Sequence, residues 1–200
     1  MNDSPRVQPA VDSKHVVQFY EDDRLLCEIV TEFAREGLEK EEAVILVATG
    51  VHRREIERRL SERGIQVGGL KSSGQLVLLD ARQTLDALMV EGTPDGDLFV
   101  STLRSLMAAA SLDWRRPVRV YGEVVDLLWR EGNHGGAIRL EETWNAFAKT
   151  TSTRVLCGYS MEHFGDKGDA AGFARVCQVH TDVQLADGDL RDGLRRCGTA

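Results

Sequence analysis

The hydrophobic positions fall into short apolar runs, separated by longer stretches in which they recur every three or four residues. His15 to Tyr20 (HVVQFY) has the composition of a strand. Leu25, Leu26, Ile29, Val30 and Phe33 then recur at helical spacing, and Gly37 is placed to stop that helix. Ala43 to Thr49 (AVILVAT) and Gln75 to Asp80 (QLVLLD) are nearly continuous apolar runs, the pattern of strands covered on both faces. A highly charged helix from His52 to Arg63, closed by Gly64, lies between them. Two helical segments follow, around Thr84 to Val90 and Leu98 to Ala110, separated by the breaker TPDG. Val118 to Tyr121 predicts a fourth strand and Arg154 to Tyr159 a fifth. Helices are predicted over Glu123 to Arg130, Gly136 to Lys149 and Ala170 to about His180.

Strands alternating with helices predict an α/β fold, a three-layer sandwich with a mainly parallel sheet of five strands or more. Residues 1–13 are polar with two prolines and read as a disordered lead-in. Residues 14–180 form the expected domain, and 181–200, with little to bury, read as a flexible tail. In a sheet of this kind ligands bind beyond the carboxyl ends of the strands. The candidate ligand-binding residues are therefore Tyr20, Glu21 and Asp22 after the first strand, and Thr49 after the second. Tyr121 and Glu123 at the fourth strand and Tyr159 at the fifth complete the set. Three tyrosines would supply apolar area with hydroxyls, and the carboxylates would supply polar anchors.

Composition narrows the function classes. Hydrophobic residues at 42% and charged residues at 28% are ordinary for a globular protein able to bury its own core. The 25 Lys+Arg stand against 32 Asp+Glu, and a net charge of -7 disfavours nucleic acid or an anionic membrane surface as partner. No apolar stretch approaches the ~18 residues of a spanning helix, and Met1 to Ala10 has no signal-peptide core. Cys27, Cys157, Cys177 and Cys197 are far apart and form no CxxC pair, so a reducing cytoplasm is expected.

Catalytic and metal constellations are weak. Cys177 and His180 share a helix face, and Cys157 with His163 would complete a Cys2His2 set. Nothing in the spacing brings the two pairs together, so the cysteines are expected to pack as small hydrophobes, and no metal or cofactor is expected. GxSxG is absent, and Cys157 lies inside a strand where a thiol is buried and inert. The arginines of the 53–63 helix alternate with Glu55, Glu57 and Glu62, the pattern of paired charges on a solvated face. His15 falls at the amino end of its strand and reads as structural. Trp129 and Trp144 are expected to pack helices onto the sheet.

The segments HVVQFYEDD, REGL, EEAVILVAT, GQLVLLDA, VRVYGEVVDLLW, LEETWN, VLCGYSMEHF and VCQVH, in that order, resemble the MEDS domain, the methanogen/methylotroph DcmR sensory domain. The resemblance spans roughly Lys14 to His180. It implies a RecA/KaiC-like core with a degenerate P-loop. It also implies a non-enzymatic input module that senses small organic compounds, such as hydrocarbon derivatives, and signals to a protein partner. A homo-oligomer fits the same reading. A phosphate-binding loop needs GxxxxGK[ST] after the first strand, whereas this junction reads Tyr20, Glu21, Asp22, Asp23, Arg24. Three carboxylates there would repel a phosphate. Glu123 stands where a RecA-like protein carries an acidic residue, or else caps the helix that follows. Neither an output domain nor a kinase region is expected in the remaining residues. The alternatives are a pure interaction adaptor without ligand and an atypical nucleotide binder.

Overall fold

A computed structural model describes residues 15–112, 115–151, 153–164 and 170–185. The 1–13 lead-in, Cys197 and the 186–200 part of the expected tail lie outside the described residues.

The apolar runs become a parallel sheet. β1 (His15–Tyr20), β2 (Ala43–Ala48), β3 (Leu76–Asp80), β6 (Val118–Gly122) and β7 (Thr153–Ser160) match the five predicted strands. A sixth, β8 (Asp182–Leu185), pairs with β1, so the sequence reading places the start of the tail too early. The order is β3-β2-β6-β7-β1-β8, and every neighbouring pair is parallel. The inner strands β1 and β2 are buried at every position, as continuous Val/Ile/Leu runs require when both faces are covered. The edge strands β3 and β8 are mostly half-buried.

Helices cover both faces, giving the expected three layers. On one face α1 (Asp23–Glu39), α2 (Gly50–Glu62) and α3 (Val67–Ser72) pack Leu26, Val30, Ile56, Leu60 and Val67 against Val44, Leu46 and Tyr121. On the other lie α4 (Ala81–Leu88), α5 (Gly96–Ala110), α6 (Val124–Arg130), α7 (His134–Thr150) and α8 (Ala170–Val179). Their core includes Phe19, Val120, Phe99, Leu140, Trp144 and Phe173.

Two local expectations are corrected. The helix predicted to reach Val90 ends at Leu88, and β4 (Met89–Val90) pairs with β5 (Thr93–Pro94) as a small antiparallel hairpin. Gly37 does not stop α1 but lies inside it. A Cβ there would come 2.8 Å from Cδ of Arg119 and 3.0 Å from Cγ2 of Val44, so the glycine lets the buried Arg119 pass beneath the helix. Arg119 pairs there with Glu42 and Glu36 and donates to the Phe33 carbonyl at 3.1 Å. The arginines of α2 pair with glutamates as expected, Arg58 with Glu55 and Glu62, while Arg59 and Arg63 also reach Glu28 on α1.

Candidate functional site

Polar residues at the strand ends divide into two kinds. Asp22 and Asp80 cap the helices that follow. The Asp22 carboxylate accepts from the backbone N–H of Arg24 and Leu25, at 2.6 and 3.3 Å, which fills the α1 N-terminus with the protein's own negative charge. Asp80 accepts from Arg82 and Gln83 in the same way. Glu21 beside Asp22 is exposed.

Glu123 behaves differently. It sits at the start of α6, yet its side chain caps nothing. The carboxylate, 1% exposed, turns inward between β2 and α2. One oxygen accepts the Tyr121 hydroxyl at 2.8 Å and bonds Nδ1 of His52 at 2.8 Å. The other accepts the Thr49 backbone N–H at 2.8 Å. His52 continues to Asp23 on α1, with Nε2 3.3 Å from the carboxylate. Burial opposes a charge on this imidazole, but the Glu123 and Asp23 carboxylates outweigh it and raise its pKa above 6.5. The edge of the Tyr20 ring meets His52 at 6.2 Å between centroids. Burial and the nearby carboxylates keep both Tyr20 and Tyr121 protonated far above the usual phenol range. Gly158 on β7 makes room for this arrangement, because a Cβ there would come 2.7 Å from the Tyr121 hydroxyl.

Tyr20, Thr49, Tyr121 and Glu123 thus come together, joined by His52. Tyr159 does not join them. It points to the opposite face of the sheet, into an aromatic cluster with Phe19, Trp129 and Phe164. Its neighbour Ser160 donates its backbone N–H to Asp126 at 2.9 Å. Burial raises the pKa of Asp126, and His163 lies 3.3 Å away. The Cys2His2 combination is therefore dispersed, with His163 at Asp126 while Cys157 and His180 lie elsewhere. Both tryptophans lie in the core between the helices and the sheet, as expected: Trp129 meets Tyr159 of β7 at 5.9 Å and stacks on His134 at 4.2 Å, and Trp144 packs edge-on to Phe99 at 5.3 Å.

His52 is the residue that sequence reasoning missed. Its signal was present: His52, Ile56 and Leu60 recur every four residues, the buried stripe of an otherwise charged helix.

On the same face as Tyr159, between the sheet and α4, α5, α6 and α7, lies a cavity of about 40 Å3. Ile45, Val47, Val120, Phe99, Leu103 and Trp144 line it, and Cys157 closes one side. Its lining is almost wholly apolar. A water needs about 10–15 Å3 of such space, so the cavity has room for roughly three or four heavy atoms.

No helix among the described residues is long and apolar enough to cross a membrane. Cys27, Cys157 and Cys177 are buried and form no disulfide among the described residues. No curated protein matches the chain. Residues 14–181 match the family model described as the MEthanogen/methylotroph, DcmR Sensory domain. That span takes in five of the six strands of the described sheet and stops just before β8, and by it the chain belongs to the MEDS family.

Proposed function

We propose that this chain is a non-enzymatic sensory protein that takes up a small apolar organic molecule in the cavity beneath α4, α5, α6 and α7. The observation that carries the reading is the cavity itself: about 40 Å3 of apolar-lined space, inside a member of a sensory family. Dry apolar cavities accept apolar guests because the guest restores contacts that the lining lacks. The volume favours molecules of one to three carbons over larger ones. Ligand entry would press on α5 and α7, and the signal would pass to a protein partner through those helices.

Three features support a non-enzymatic reading. The α1 N-terminus is filled by Asp22 where a phosphate would sit. Each oxygen of Glu123 is already engaged by the protein. Burial pushes the Cys157 thiol up, away from a reactive thiolate. The adjacency of β6, β7 and β1 supports a RecA/KaiC-like core whose phosphate loop has degenerated. The absence of a disulfide among the described cysteines supports a reducing, cytoplasmic setting.

Thermal unfolding in the presence of one- to three-carbon halocarbons and alcohols tests this reading. A ligand bound to the folded state alone stabilises it by about 2.7 kcal/mol at one hundred times its Kd. At least one such compound should raise the melting temperature of the parent in a saturable way. Val120→Phe, which fills the cavity from β6, should abolish that shift while remaining folded. Equal shifts in both proteins, or none in the parent, would overturn the proposal.

A further inference from the structure

At the amino half of the sheet, His15, Glu141, Cys157 and His180 converge although they are distant in sequence. His15 opens β1, Glu141 projects from α7, Cys157 lies on β7 and His180 follows α8. His15 and Cys157 share a sheet face because β1 and β7 pair in parallel, with His15 beside Val155 and Val17 beside Cys157. Their ligand-type atoms all lie within 4.8 Å of one another. Oε2 of Glu141 is 3.1 Å from Nε2 of His15, 3.3 Å from Sγ of Cys157 and 3.3 Å from Nε2 of His180. The Cys157 sulfur is 3.5 Å from Nε2 of His15.

Those spacings resemble the edges of a coordination tetrahedron. Zinc bonds of about 2.0–2.3 Å to nitrogen, oxygen and sulfur imply ligand-to-ligand edges of roughly 3.3–3.7 Å. Small side-chain rotations would close the longer edges. The tautomer of His180 is also set. Its Nδ1 donates to the Val176 carbonyl at 2.7 Å, leaving the Nε2 lone pair directed at the cluster. That Nε2 is buried and lies 3.3 Å from the Glu141 carboxylate without forming a well-aligned hydrogen bond to it. Charge balance points the same way. One carboxylate and one thiolate neutralise a divalent cation, so the filled site would bury no net charge around Glu141, which is 0% exposed.

We propose that His15, Glu141, Cys157 and His180 bind one divalent transition-metal ion, zinc before others, as a closed four-ligand structural site. Mixed imidazole, thiolate and carboxylate donors in tetrahedral array favour zinc over magnesium or calcium. On binding, the Cys157 S–H bond is replaced by a metal–sulfur bond and the proton passes to solvent. The ion would tie α7 and the end of α8 to β1 and β7, fixing the segment that leads into the edge strand β8.

The test uses the full chain without an affinity tag, expressed in zinc- or cobalt-supplemented medium because the site is closed to solvent. Elemental analysis should find one zinc per chain. The cobalt form should show the strong visible bands of tetrahedral Co(II) with a near-ultraviolet thiolate-to-cobalt band. Cys157→Ser should lose the thiolate band, and His180→Ala should weaken metal retention against a chelator at least tenfold. X-ray absorption on the parent zinc form needs no variant, and it should show one sulfur and three nitrogen or oxygen neighbours. Folded parent protein without stoichiometric metal, a metal shell without sulfur, or an unchanged spectrum in folded Cys157→Ser would overturn the proposal.

Discussion

Glu123 is the residue on which three elements depend. Its carboxylate joins β6 through Tyr121, α2 through His52 and the β2–α2 junction through Thr49. Removing one donor should be measurable. Tyr121→Phe keeps the ring but removes a hydrogen bond to a charged acceptor, and should cost about 1.5–3 kcal/mol in urea unfolding. His52 gives the network a pH signature. Its pKa is raised in the folded state, so its contribution is complete below about pH 6.5 and is lost as the pH rises through the folded value. The stability difference between the parent and His52→Gln should therefore shrink from pH 6 to pH 9. A difference constant across that range would show that His52 carries no proton-linked stability. Of this network, Tyr20, Thr49, Tyr121 and Glu123 were legible because a parallel sheet gathers residues at its strand ends. Tyr159 was misplaced because strand-end position alone does not say which face a side chain takes.

Elements were more legible than their junctions. Continuous apolar runs marked the five strands, helical spacing of apolar residues marked α1, and paired charges before Gly64 marked α2. The end of α4 was not marked, since Met89 and Val90 extend its apolar pattern while Gly92 at φ 79 turns the chain into a hairpin. Gly37 looked like a stop because a glycine near a helix end commonly is one. Its true role depends on Arg119, 82 positions later, which the local sequence does not contain. Substitution separates the two roles. Alanine is ordinarily the better helix former by about 1 kcal/mol, yet Gly37→Ala should destabilise by about 1–3 kcal/mol because Arg119 and Val44 must yield. Gly68→Ala in α3 meets nothing within 4 Å, and should stabilise by about 0.4–1 kcal/mol. Denaturant midpoints of the two variants check both signs.

For the whole molecule, the alternation of strands and helices disclosed the layers but not what lies between them. A cavity is a difference between the volume enclosed by the sheet with four helices and the side chains that fill it, and no local pattern records that difference. β8 escaped notice because DVQL is a four-residue, half-buried edge strand with one face of pairing. The sensory reading rests on the cavity, and methyl-resolved NMR of the protein under xenon tests it most directly, since xenon enters dry apolar cavities. The account predicts saturable shifts at Ile45, Val47, Leu103 and Val120, and none at Leu26, Val30 or Leu60 on the opposite face. Unchanged spectra, or shifts concentrated around Tyr20 and His52, would contradict it.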